Sequence, residues 1–393
     1  MTSSVFVYLV IALLPVAAVS GWYAGRRGGA AQTGRRVSRL SKTYFRGLNY
    51  LLIEQPDKAI ELFLQLAEAD KDTVETQFSL GYLFRRRGEV DRAIRLHQNL
   101  IARPGLNEEQ KKYAMLELGE DYMRSGLLDR AETLFTDLVQ ADVSVPQALR
   151  HLISIYQAER DWDKAIGHAR SFESATGEPM GAMIAQFHCE LADQARAQGA
   201  RDDARRHVDD AFAVEPECVR ASMILGHIEA ANGDLDAAIR AFERVADLDI
   251  DYVPEILSPL LDSYARAQRM QRAEEFLLDI TERYQGVSPV LALAKLYATT
   301  RGEDAAVDFL NRMLRQRPSV RALMALIDVN LHTASGEARE NFLTLRDLTR
   351  QLVEGKAMYR CNRCGFGAKA HHWQCPSCKS WGSVRPIHGV VGE

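Results

Sequence analysis

The chain has 393 residues, with 49 Lys and Arg against 53 Asp and Glu, a net charge of −4, and is long enough for two or three domains. The charge is uneven: residues 1–46 hold seven basic and no acidic residues, residues 356–393 hold six basic and one acidic, and the body between carries 36 basic and 52 acidic residues, a net of −16. Such a body is repelled by phosphate, which argues against nucleic acid, whereas the basic ends suit an anionic membrane surface or acidic partners.

The first predicted element is a membrane anchor over residues 1–25. Val5 to Ala24 is a run of about twenty mostly apolar, uncharged residues, enough at ~1.5 Å per residue to cross a bilayer core. Pro15 is tolerated in such a helix, and Trp22 and Tyr23 stand where amphipathic rings favour the interface. Arg26, Arg27, Arg35, Arg36, Arg39 and Lys42 follow, so the positive-inside rule leaves the N-terminus outside and the bulk of the chain in the cytoplasm. Ala18-Val19-Ser20 would pass as a cleavage site, but the residues before the apolar run contain no Lys or Arg, unlike a secretory signal. Residues 26–41, basic and glycine-containing, read as a tether.

From residue 42 to about 353 the chain reads as an all-α tetratricopeptide-repeat superhelix of eight to nine copies. One alanine column carries the period: Ala59, Ala93, Ala131, Ala165, Ala204, Ala238, Ala273 and Ala306, at intervals of 34, 38, 34, 39, 34, 35 and 33. Twelve residues before most of them stands a small residue (Gly47, Gly81, Gly119, Ala192, Gly226, Ala294), and three after that point often an aromatic (Tyr50, Phe84, Tyr122, Tyr156, Tyr264, Tyr297). Four past the alanine comes a bulky apolar residue in several copies: Phe63, Phe135, Phe242, Leu277, Leu310. Each copy reads as a helical hairpin whose small residues permit close approach, and stacked copies share one core. Asp91, Asp129, Asp163 and Asp236 favour helix starts by capping and dipole complementarity. Pro104, Pro216 and Pro318 fall near copy ends. The longer intervals, near Arg103–Glu109 and Thr176–Met180, are where the array is expected to bend or divide. Such an array binds other polypeptides and contains no phosphate loop or nucleophile elbow. His97, His151, His168 and His188, scattered over different helices, read as surface or core residues, and Cys189 and Cys218 as small core residues.

Residues 354–393 form the last predicted element. Cys361-x-x-Cys364-Gly365 and Cys375-Pro376-x-Cys378 put four thiolates at metal-ligand spacing. Gly365 and Pro376 are expected to supply the tight turns, and Phe366, Trp373 and Trp381 to shield the site; His371 and His372 read as exposed loop residues rather than ligands. A sulfur tetrahedron suits one iron or one zinc, and the order of residues is similar to rubredoxin, which favours iron. Electron transfer through that iron is the rival function. The short connection from Val353 to Cys361 leads to the expectation that the module docks on the repeats.

Three stretches carry a family resemblance: Leu14-Pro15-Val16-Ala17-Ala18 running to Gly21-Trp22-Tyr23 and Gly25-Arg26-Arg27; Leu83-Phe84 to Arg87-Gly88-Glu89-Val90-Asp91-Arg92-Ala93-Ile94-Arg95; and Tyr359-Arg360-Cys361 through Cys375-Pro376-Ser377-Cys378. With one anchor, a repeat array and a rubredoxin-like knuckle pair, the chain resembles the lipopolysaccharide assembly protein B family of Gram-negative bacteria over essentially its whole length. The resemblance implies a non-enzymatic inner-membrane adaptor facing the cytoplasm. It implies regulation of lipopolysaccharide output by helping the membrane protease FtsH degrade the deacetylase LpxC. It also implies contacts with lipopolysaccharide assembly proteins, opposition by a regulator of the YejM/PbgA type, and metal ligation by Cys361, Cys364, Cys375 and Cys378. Repeat arrays and membrane anchoring both permit a homodimer.

Overall fold

The computed structural model describes residues 19–20, 22, 43–47, 49–50, 53, 55–69, 74–143 and 145–393. Most of the predicted anchor and all of the tether lie outside these residues; among the described residues no helix is long and apolar enough to cross a membrane. Two compact units divide the chain, residues 1–160 and 161–393. The division falls at neither longer linker. It falls inside the fourth copy, where Arg160 takes a left-handed φ of 60°.

The first unit contains α1 (Pro56–Ala69), α2 (Val74–Arg87), α3 (Val90–Ile101), α4 (Glu108–Ser125), α5 (Leu128–Gln140) and α6 (Val145–Glu159). The second contains α7 (Trp162–Thr176), α8 (Gly181–Ala197), α9 (Arg201–Val214), α10 (Val219–Asn232), α11 (Leu235–Leu248), a 3₁₀ turn (Ile250–Tyr252), α12 (Val253–Arg266), α13 (Met270–Arg283), α14 (Ser288–Thr300), α15 (Glu303–Gln316), α16 (Val320–Thr333) and α17 (Gly336–Val353). Three short strands close it: β1 (Tyr359–Cys361), β2 (Gly367–Ala368) and β3 (Val384–Pro386), antiparallel in the order β2-β1-β3.

All eight alanines of the column are fully buried. The reason for the glycines is visible across each hairpin. A Cβ on Gly119 would lie 2.6 Å from the Phe135 ring, and one on Gly226 would lie 2.6 Å from the Phe242 ring. Gly47 faces Phe63 in the same way. Each pair is sixteen residues apart, and the ring occupies the space a side chain would need.

The second copy departs from this pattern. His97 replaces the apolar ring, against Gly81, and is fully buried. Its Nδ1 lies 2.6 Å from Asp121, which is 2.7 Å from Arg85; Arg85 also donates to Glu117 at 2.6 Å. A buried charge cluster replaces apolar packing there, with each charge paired as burial demands.

The four aspartates of the helix starts sit in first turns, where the dipole favours them. Capping is done elsewhere: Asp161 and Asp234 accept from the backbone N–H of Lys164 and Ala237, and Asn107 forms a capping box with Gln110. α10 ends on Gly233 in the left-handed region, φ 87°.

Candidate metal centre and its docking surface

The four cysteines converge. Cys361 ends β1, and Cys361 Sγ lies 3.7 Å from Cys378 Sγ, as does Cys364 Sγ from Cys375 Sγ. All four sulfurs fall within 4.8 Å of one another. A tetrahedron with metal–sulfur bonds of ~2.3 Å has edges of ~3.8 Å, which the two 3.7 Å pairs match, so the donor set fits one tetrahedral ion.

The two knuckles are built alike. In the first, the Gly365 N–H donates to the Cys361 carbonyl at 2.9 Å, with Gly365 at φ 78°. In the second, the Lys379 N–H donates to the Cys375 carbonyl at 2.9 Å, with Lys379 at φ 58°. Pro376 lies inside the second turn, as expected, and Lys379 in a left-handed conformation closes it, in the place that Gly365 has in the first. Backbone N–H groups of Arg363 and Cys364 face Cys361, and those of Ser377 and Cys378 face Cys375. The Ser383 hydroxyl, 3.3 Å from Cys361 Sγ, is the main cause that holds that thiol down to about 6. Burial pushes the Cys375 thiol up to about 11.

Phe366 packs with Cys361, Cys375 and Val384 and shields the site as expected. The tryptophans do something else. Trp373 stacks on Tyr252 of the 3₁₀ turn, with centroids 5.0 Å apart and planes at 12°. Trp381 meets Trp162 of α7 and Phe187 of α8 edge-on, at 6.2 and 6.1 Å. Between the two tryptophans sits Arg220 of α10, 4% exposed, its guanidinium carbon 5.4 Å from the Trp373 ring and 5.9 Å from the Trp381 ring. It also pairs with Glu190 and Asp193 of α8, both at 2.9 Å. A desolvated cation held over two aromatic faces is a strong contact.

Polar contacts frame this seam. Arg385 of β3 pairs with Asp249 at 2.5 Å, and Tyr359 of β1 bonds to Glu255 of α12. His388 lies 3.3 Å from Asp251. The Glu393 carboxylate accepts from the Ser288 N–H at 2.8 Å and pairs with Arg321 of α16 at 2.6 Å. The ribbon is thus docked on the second unit through helices from α7 to α16. His371 belongs to this seam, against Tyr252, Tyr359 and Trp373. It is half-buried, unlike the exposed loop residue expected, while His372 is exposed. Burial is the main cause that lowers the His371 pKa to about 4. Neither Arg220 nor Tyr252 carries a motif; the signals open to sequence reading were an arginine within an otherwise apolar helical pattern and a tyrosine beside a helix break. Cys189 and Cys218 are buried in the core of the second unit, as expected.

Comparison with known proteins agrees with both parts of the chain. A rubredoxin metal-binding domain model matches residues 359–386, and a tetratricopeptide-repeat model matches residues 46–106, 116–179 and 189–253. The chain is 38% identical over 385 residues to lipopolysaccharide assembly protein B of Escherichia coli (strain K12), covering 98% of this chain and 99% of that protein. It is 33% identical over 388 residues to the protein of the same name from Haemophilus influenzae, covering 96% and 98%. Among solved structures, a tetratricopeptide repeat protein from Parabacteroides merdae is similar at 15% identity and a TM-score of 0.34, over 70% of this chain and 98% of that one.

Proposed function

Because the chain belongs to the lipopolysaccharide assembly protein B family, we propose that it is a non-enzymatic adaptor anchored in the inner membrane with its bulk in the cytoplasm. On this reading it regulates lipopolysaccharide biosynthesis by bringing the deacetylase LpxC to the protease FtsH, and coordinates the assembly proteins. A YejM/PbgA-type regulator opposes it. The observation that carries the reading is the match over 98% of the chain, repeats and ribbon together, to proteins of that name. Physical chemistry supports it: repeat hairpins offer extended surface for other polypeptides, and a membrane tether raises their effective concentration beside a membrane protease.

On the same reading the four-thiolate centre holds one iron, with zinc as the competing ion, and serves to hold the ribbon in shape on the repeats. Affinity isolation from solubilised membranes, with metal analysis of the same sample, tests this. Recovery of the protease and the deacetylase is expected, and their absence under conditions that retain known membrane complexes would overturn the adaptor. Serine at Cys361 and Cys364 together is expected to weaken deacetylase binding; unchanged affinity would remove the ribbon from the partner surface.

A further inference from the structure

His188 lies in the middle of α8, 7% exposed, and neither ring nitrogen has a hydrogen-bond partner. Leaving both unsatisfied is costly for a buried imidazole. Across the hairpin, α9 carries His207 and Asp210, three residues apart and therefore on one helix face. Asp210 Oδ2 stands 3.9 Å from His188 Nδ1 and 4.0 Å from His207 Nδ1. The His207 Nδ1 also has no hydrogen-bond partner. One donor atom from each of the three residues lies within 4.8 Å of the other two.

These spacings are too long for hydrogen bonds. They are somewhat wider than the ~3.3 Å edge of a tetrahedron with bonds of ~2.0 Å to nitrogen and oxygen. Two imidazoles and one carboxylate are a donor set suited to zinc with its fourth position open to water. Metal ligation needs neutral imidazole, and burial, the largest influence, lowers the His188 pKa. Asp163 and Arg170 are the other charges acting on it. Asp210 is 58% exposed at its side chain, which opens the cluster to solvent.

We propose that His188, His207 and Asp210 form a second metal site, separate from the four-cysteine centre, which takes a divalent borderline cation of the zinc class. The ion would clamp α8 to α9. Phe187, the neighbour of His188, is the residue on which Trp381 rests, so the clamp stiffens the hairpin that seats the ribbon.

The test uses the full-length chain with its four-cysteine centre already filled. Zinc is titrated in by calorimetry, and bound zinc is counted by elemental analysis after dialysis. One additional zinc per chain is expected, with a rise in Tm. His207→Ala and Asp210→Asn, at positions that are not buried, should weaken the additional site at least tenfold while leaving the fold intact by circular dichroism. Cobalt at this site should lack the sulfur-to-metal charge-transfer band of the cysteine centre. No additional zinc, or one whose affinity survives His207→Ala unchanged, would overturn the proposal.

Discussion

A single missing Cβ decides the spacing of each hairpin. At Gly226 an added methyl would come within 2.6–2.7 Å of three Phe242 ring atoms, and that ring is wholly buried and cannot yield. Gly226→Ala is therefore expected to destabilise the second unit, although alanine is the better helix former by about 1 kcal/mol, because overpacking a filled core costs about 1–3 kcal/mol. Urea unfolding measures the sign, and Phe242→Leu added to it should recover part of the loss; a neutral Gly226→Ala would mean that the ring can move. His371 makes a second prediction. Its folded pKa of about 4 lies below the unfolded value of 6.5, so the neutral ring is favoured by folding. That contribution is present in full above pH 6.5 and is lost as the pH falls from 6.5 towards 4, by about 1.4 kcal/mol for each pH unit crossed. The nearby cations His372, Arg385 and Arg220 act in the same direction. Protease susceptibility of the ribbon should rise through that window, and His371→Gln should flatten the rise at unchanged metal content. The alanine column and the four cysteines were legible in the sequence because burial and ligation restrict residue type. The left-handed Lys379 was not, since only glycine advertises that conformation.

At the scale of elements, the ribbon is attached mostly by its side chains, with one backbone bond from the Val320 N–H to the Val390 carbonyl at 2.8 Å. Arg220 of α10 is the centre of that attachment, serving two carboxylates of α8 and two tryptophans of the ribbon at once. Arg220→Ala would remove the buried cation shared by Glu190 and Asp193, which are themselves partly exposed, and a loss of about 1.5–3 kcal/mol is expected, read as a lowered Tm of the second unit and faster hydrogen exchange in β1. A ΔTm within error would show that the seam is held by the stacked rings alone. Helices end at Ile101, Val214 and Gln316, shortly before Pro104, Pro216 and Pro318, as the proline punctuation predicted. The direction in which Trp373 and Trp381 point did not follow from the sequence, because a tryptophan beside a metal knuckle can shelter the ion or face outward, and only the position of Tyr252, Trp162 and Phe187 decides.

For the molecule as a whole, the metal and the second unit are energetically linked. Removing the ion takes away the constraint that folds a ribbon too small to hold a core of its own. Chelation is expected to unfold residues 359–393, uncover Tyr252, Trp162 and Phe187, and lower the Tm of the second unit. The Tm of the first should stay unchanged, because these three rings and Arg220 all belong to the second. Scanning calorimetry of the full chain with and without chelator separates the two transitions. An unaltered second transition would show that docking and metal binding are independent. The position of the two-unit division lay beyond sequence reading, because linker length marks only where a chain has slack.

A repeat array ordinarily completes each hairpin as its own sequence emerges, since neighbours in space are neighbours in the chain. Here Glu393 meets Arg321 and the backbone of Ser288, and Trp381 meets Trp162. Helices made early wait for the final stretch of translation before their aromatic surface is covered. A message truncated before codon 359 would therefore yield not a shorter adaptor but a sticky one, with Trp162, Phe187 and Tyr252 left open to chaperones and proteases.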